Sequence, residues 1–421
     1  MFKKITAALP LLIILTACGG GSSSSQPNLG NDYLTAPTGS YHVGYRDMRM
    51  VNDQVCPDPY FLKGTNEADF GADNHAKFCR EFMVRIYYPS HMTPTTSPYF
   101  SPIVDGLAAF FQNAGIPDLT ADDITAIKGV QSFTSKNLKV SAEKFPVIFF
   151  NPGYGMEAQI YEDSITDLVS HGYIVVALSN TFIGENTQFP DGRLVQQTAP
   201  KEQPIFDTSK GDILFSYAQI TKVKAGAPSD PLFNAMDLEK TGLYGHSMGA
   251  IDTINVARGS SNPFKAVATL DSFPIDVNTM SYSPDELKGL TIPSLRINAA
   301  DWNQQFNIPS DAKYQLLHDN YAVILSPSAS DSTYTRHNNF SDYSTLQYLS
   351  AFQKIFESQS PETYSLGVAN GYHVVKLTNA YLNGFFDKYL KNKGTSFLDK
   401  CQAVSVDSAA SGSDNMLECG S

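Results

Sequence analysis

Residues 241–257 read TGLYGHSMGAIDTINVA, and a short β-prone run meets a helix-prone run across Gly245-His246-Ser247-Met248-Gly249 with no room for a loop. A chain reverses that sharply only if the central residue takes strained backbone geometry and the crowded flanking positions lack side chains. The two glycines meet the second condition. Ser247 is then exposed at the carboxyl end of a strand, a ready nucleophile. The backbone amide of Met248, first in the helix, points at the same spot and can donate to a developing oxyanion. Such a turn belongs to a parallel sheet with open strand ends.

The remainder of the chain supplies that sheet. Strands are expected at Phe82–Tyr88 (stopped by Pro89), Pro146–Phe150, Tyr173–Ser179, Gly242–Gly245, Ala266–Leu270, Ser294–Asn298 and Tyr321–Leu325. Helices are expected at Ala158–Ser170, Asp212–Ala225, Met248–Ala257, Tyr343–Ser358 and Gly371–Lys391. PVIFF and YIVVALS are apolar on both faces, as central parallel strands are. Strand-helix-strand at this spacing makes βαβ crossovers, so the fold class is α/β, with helices on both faces of a mostly parallel sheet. Hydrophobic residues make up 42% of the chain, enough for one large core, and no internal repeat is apparent. With 30 basic against 42 acidic residues the net charge is −12, and no basic patch with interleaved aromatics is present. Nucleic acid is not the expected partner.

A nucleophilic serine needs a second oxyanion donor, a base and an acid that orients the base. The loop FFNPGYG follows an early central strand and offers the amide of Tyr154. Among the eight histidines, His246 is inside the turn and cannot fold back onto its neighbour. His42, His75 and His91 come too early, His171 and His318 end helices, and His373 lies within one. His337 follows the last strand after a polar loop, in the order serine, acid, histidine. Two carboxylates fit the acid: Asp271 after AVATL, and Asp301 after SLRIN with Trp302 beside it. Ile103–Ile116 (IVDGLAAFFQNAGI) carries an apolar helical stripe, which suits either a cap over an acyl group or an ordinary packed helix. No His/carboxylate spacing typical of a metal site is present, and neither metal nor cofactor is expected.

The first residues read as an address. Lys3 and Lys4 precede the apolar run Ile5–Leu15, which Pro10 interrupts and which is too short to span a bilayer as a helix. Leu15-Thr16-Ala17-Cys18 resembles the bacterial lipobox, so residues 1–17 are expected to be removed and Cys18 to carry lipid. A secretory signal with a chance cysteine is the alternative. Gly19–Gly21 and Ser22–Ser25 read as a flexible tether, and Gly19 in place of Asp favours the outer membrane, by resemblance to sorted lipoproteins. In an oxidising envelope the other four cysteines are expected to pair by proximity, Cys56 with Cys79 and Cys401 with Cys419.

VRIYYPS (84–90), FPVIFFNPGYG (145–155), LVSHGYIVVAL (168–178), GHSMGA (245–250), TLDSFP (269–274), RINAADW (296–302) and RHNNFSDY (336–343) stand in this order along the chain. Together they resemble the platelet-activating factor acetylhydrolases of the α/β-hydrolase fold, the group with the plasma and type II enzymes. The resemblance spans about Val84 to Lys391. It implies a serine esterase without metal or cofactor, acting on short or oxidised acyl esters of phospholipids or related esters. The family's nucleophile falls on Ser247, its acid on Asp271, its histidine on His337, and its oxyanion donors on Tyr154 and Met248. Where the family usually has His-Gly in the oxyanion loop, this chain has Pro152-Gly153. The expected layout is a tether over 18–40, a hydrolase domain over 41–395 with a cap-like insertion at about 92–140, and a disulfide-closed tail over 396–421. Alternatives are a catalytically silent binding lipoprotein on this fold, or a polyester or small-ester hydrolase.

The tether reading has a direct consequence. Cys18→Ser should release the protein from membranes, because lipid on that residue supplies the whole attachment. Sedimentation of the variant with salt-washed membranes would contradict it.

Overall fold

Pairing strands by their backbone hydrogen bonds gives a sheet of ten, in a computed structural model that describes residues 33–95, 97–99, 119–200, 203–272, 290–299, 320–325, 335–358, 366–367, 369–394 and 417–419. The strands are β1 (His42–Asn52), β2 (Arg80–Ser90), β3 (Thr134–Lys136), β4 (Phe145–Asn151), β5 (Ile174–Ser179), β6 (Met236–His246), β7 (Ala266–Leu270), β8 (Ser294–Ala299), β9 (Asn320–Leu325) and β10 (Leu417–Cys419). Their order is β10-β9-β8-β7-β6-β4-β5-β2-β1-β3. From β9 to β5 every pairing is parallel, while β2 is antiparallel to both β5 and β1, and β10 is antiparallel to β9. The α/β-hydrolase fold expected from the sequence is the fold observed.

Alternation along the central strands divides the core. In β4, Ile148 and Phe150 join one cluster, which also takes Ile165 and Leu168 of helix α2 (Glu162–Ser170). Val147 and Phe149 join the other, with Ile213 and Ile220 of α3 (Gln203–Gly226) and Ile254 of α4 (Met248–Arg258). Burial of successive residues toward opposite faces is the strand period of two at work. The remaining longer helices are α1 (Ala121–Gly129), α5 (Ser350–Ser358) and α6 (Gly371–Lys391), and Leu382, Phe385 and Phe386 of α6 complete the first cluster.

Several boundaries differ from the sequence expectation. Pro89 does not stop β2, which continues to Ser90 against β1. Pairing with β5 ends at Tyr87, so a proline without an N–H is tolerated beyond it. The helix expected over Ala158–Ser170 divides into a tight turn, Ala158–Tyr161, and α2. The cause is tertiary: Asp342, from far along the chain, accepts from the amides of Glu162 and Asp163 at 2.7 and 3.1 Å and starts the helix there. The helix expected over Tyr343–Ser358 is likewise two, Tyr343–Leu346 and α5. Within residues 92–140, β3 extends the main sheet beside β1, and Tyr99 reaches across to Asp342 (Oη to Oδ2 2.5 Å). Residues 417–419, expected in the tail, pair with β9. The helix expected at Ile103–Ile116 and the residues Cys18, Asp301 and Cys401 lie outside the described residues.

Cys56 and Cys79 are joined as a disulfide. Inside the loop they close, Phe61 stacks on Phe78 at 4.0 Å with Phe70 edge-on. Next to the disulfide, the buried guanidinium of Arg80 meets Asp58 at 3.1 Å, Asp212 at 2.6 Å and the carbonyl of Thr181 at 2.8 Å. A buried cation is tolerable only with such a full set of acceptors. The loop is thereby pinned to both β2 and α3.

A buried carboxyl sets a pH dependence. Glu162 accepts from Ser132 Oγ (2.6 Å) and Tyr87 Oη (3.3 Å), and burial pushes its pKa up to about 7, against the pull of Arg85. The folded state therefore keeps a proton that the unfolded chain gives up near pH 4.3. Its stabilising contribution is complete below that pH and is lost as pH rises through about 7, on the order of 3 kcal/mol in all. Glu162→Gln mimics the protonated form. The variant should be close to the parent in thermal unfolding at pH 4 and exceed it by a margin that grows up to pH 8.

Candidate active site

Ser247 joins β6 to α4 and has φ +55° and ψ −120°, a region that residues with side chains rarely adopt. The glycines around it are sterically required. A Cβ on Gly245 would overlap the carbonyl oxygen of Gly249, and one on Gly249 would overlap those of Asn151 and Pro152. The start of α4 is thus pressed against the loop after β4. On that loop, a Cβ on Gly153 would come within 3.3 Å of Ser247 Cβ.

The other two members arrive on different loops. Ser247 Oγ lies 2.8 Å from His337 Nε2, and His337 Nδ1 lies 2.5 Å from Asp271 Oδ2. Asp271 is fully buried and also has positive φ, +47°. Its other oxygen accepts from the amide of Ala299 at 2.6 Å, and its own amide donates to Ile297 at 2.7 Å, so β8 holds it on both sides. The His337 ring is one-fifth exposed and Ser247 is half-buried. A hydroxyl, an imidazole and a buried carboxylate in one line can move a proton off the hydroxyl and hold the resulting imidazolium.

Both expected oxyanion donors border the serine. Met248 opens α4, where the first amides have no acceptor within the helix. Tyr154 follows Gly153, and its phenol donates to the carbonyl of Ala199 at 2.8 Å. Below this loop Asn180 donates to Asn151 Oδ1 (2.8 Å), and Asn151 Nδ2 donates to Ser209 (2.9 Å) and Asp252 (3.2 Å). That buried set ties β4, α3 and α4 together where they meet the site.

Of the residues singled out from sequence, Ser247, Asp271 and His337 are in direct contact, with Met248 and the Tyr154 loop beside them. Asp271 is the carboxylate against His337; Asp301 lies outside the described residues. Other histidines go elsewhere: His91 to Glu143 at 3.0 Å, His171 to Thr38 at 2.9 Å. Sequence reasoning passed over His246 and Tyr161. His246 Nε2 is 3.0 Å from the carbonyl of His337, and its Nδ1 is 2.8 Å from Tyr161 Oη. Tyr161 sits outside every local motif, so only its place at the start of α2 brings it here. Among the described residues no group of three or more His, Cys, Asp or Glu is placed to hold a metal ion.

Residues 30–181 match the family model described as platelet-activating factor acetylhydrolase, isoform II. Among solved structures the chain is similar to a ferulic acid esterase from Streptomyces cinnamoneus, with a TM-score of 0.65 and 20% identity over 88% of this chain and 96% of that one. No curated protein sequence matches the chain. A likeness at that identity speaks for the fold, and the family match covers β1 to β5, the half of the sheet that carries the Tyr154 loop. Sheet order, sharp serine turn and structural likeness together make the fold that of an α/β-hydrolase, and residues 30–181 carry the likeness to the platelet-activating factor acetylhydrolases.

Proposed function

We propose that this chain is a serine carboxylic ester hydrolase working through an acyl-enzyme. The observation that carries the reading is the unbroken line from Ser247 Oγ through His337 to Asp271, set at the N-terminus of α4. Ser247 Oγ attacks the acyl carbonyl while His337 Nε2 takes its proton, and Asp271 holds the opposite nitrogen protonated. Negative charge on the carbonyl oxygen is met by the amides of Met248 and Tyr154. Collapse expels the alcohol, to which His337 returns the proton. Water, activated by the same histidine, then frees the acid and restores Ser247.

The wall beside the serine is apolar. Tyr154 and Ile251, both partly exposed, pack on a cluster of Met248, Phe182, Phe189 and Phe206. Such a wall suits a short acyl chain or an aromatic acyl group better than a charged one. Short or oxidised acyl esters of phospholipids, and related small esters, are the substrates proposed. In the same reading lipid on Cys18 holds the enzyme at the outer membrane, within reach of lipid-derived esters; the support is the LTAC sequence and the Gly/Ser tether.

The test is an ester panel, p-nitrophenyl esters of graded length beside short-chain phospholipids and a feruloyl ester, with fluorophosphonate labelling. Ser247→Ala should abolish labelling and lower turnover by about 10⁶, and Asp271→Asn should lower it by about 10⁴ through the wrong histidine tautomer. Labelling at another serine would refute the assignment.

A further inference from the structure

His246 occupies a position that the hydrolytic steps do not use, yet its surroundings determine every one of its protons. The carbonyl of His337, 3.0 Å from Nε2, can only accept, so Nε2 carries the hydrogen. A neutral imidazole has one N–H, which leaves Nδ1 as an acceptor for the hydroxyl of Tyr161 at 2.8 Å. The Tyr161 oxygen in turn takes a long hydrogen bond, 3.4 Å, from the amide of Gly153 in the oxyanion loop. All three rings pack closely: His246 lies 4.5 Å from His337 and 5.5 Å from Tyr161. His246 is 1% exposed, and burial together with the adjacent His337 pushes its pKa well below the ordinary 6.5, so it stays neutral.

We propose that Tyr161 and His246 are positioning residues: Tyr161 locks His246 in the Nε2–H tautomer, and His246 then holds the main chain of His337 where its ring spans Ser247 and Asp271. The same hydrogen-bond chain ends on Gly153, so the base and the oxyanion loop are set by one buried device. This rests on the ester hydrolase reading above. Without the tyrosine hydroxyl, His246 is free to adopt the other tautomer, whose Nε2 lone pair faces the His337 carbonyl and repels it. The loop is also held by Thr335, whose hydroxyl donates to the carbonyl of Leu325, and by Asp342, whose amide donates to the carbonyl of Ile160 at 2.7 Å; His246 acts on the main chain of His337 itself.

The experiment follows the burst of p-nitrophenol on acylation, together with kcat, KM and thermal unfolding, in the full-length protein. Wild type is measured first; absence of a burst and of Ser247 labelling there would defeat the hydrolase reading itself. Given an active wild type, Tyr161→Phe keeps the ring contacts and should slow acylation about tenfold with KM within twofold, while His246→Phe should slow it about a hundredfold, the scale of a small misplacement of a catalytic group. His246→Gln retains an N–H for the His337 carbonyl and should recover much of that loss. The Tyr161→Phe/His246→Phe double variant should be no slower than His246→Phe alone, since both act through one bond. Wild-type acylation in a folded Tyr161→Phe, losses that multiply in the double variant, or no recovery in a folded His246→Gln would each overturn the proposal.

Discussion

Everything at the site depends on the strand-to-helix reversal at Ser247. Its φ of +55° is unfavourable for a serine by itself. It persists because β6 lies between β4 and β7 in the middle of the sheet, and because Ile254, Val256 and Ala257 of α4 pack back in one cluster with Leu243 of β6 and Val267 of β7. Gly245 and Gly249 allow the helix to start against the carbonyls of Asn151 and Pro152, closer than any side chain permits. That closeness puts the first amide of α4 and the Tyr154 loop around one point. The strain at the serine and the convergence of donors have the same cause.

His337 and Asp271 are held by quite different means. Asp271 leaves β7 with positive φ and is gripped by the backbone of β8, so its carboxylate is positioned by neighbouring strands. His337 sits on a loop of no regular strand, and its place comes from side chains far away in sequence. Asp342 fixes the far end of the loop to the start of α2, with Tyr99 on the same carboxylate. His246 holds the near end by the carbonyl of His337. Burying the carboxyls of Glu162, Asp163 and Asp342 near one another raises the pKa of each. The loop is therefore secured at the expense of stability toward alkaline pH.

A second elaboration flanks the serine on the α3 and α4 side. The disulfide-closed loop, pinned by Arg80, packs its phenylalanines against Phe182 and the hairpin of Asn186–Gln188 and Leu194–Gln196. Tyr154 joins this assembly through Ala199. Its side chain thus belongs to the apolar wall while its backbone belongs to the loop after β4, so a change in the wall can reach that loop through Tyr154.

The central strands, the serine turn and the order serine, acid, histidine were legible in the chain itself, because each rests on local chemistry. Apolar runs mark buried parallel strands, and glycines at fixed spacing mark a turn that only glycines permit. Asp271 against Asp301 was a choice between two strand ends, which local pattern cannot make; the contact with His337 was made by tertiary packing. The outer strands β1, β3 and β10 were not read, since half-polar sequences become strands only when a neighbour offers its hydrogen bonds. The start of α2, the end of β2 and the burial of Tyr161 with His246 belong to the same class. In each, the deciding partner lies far along the chain, so the outcome exists only once the sheet has brought the two segments together.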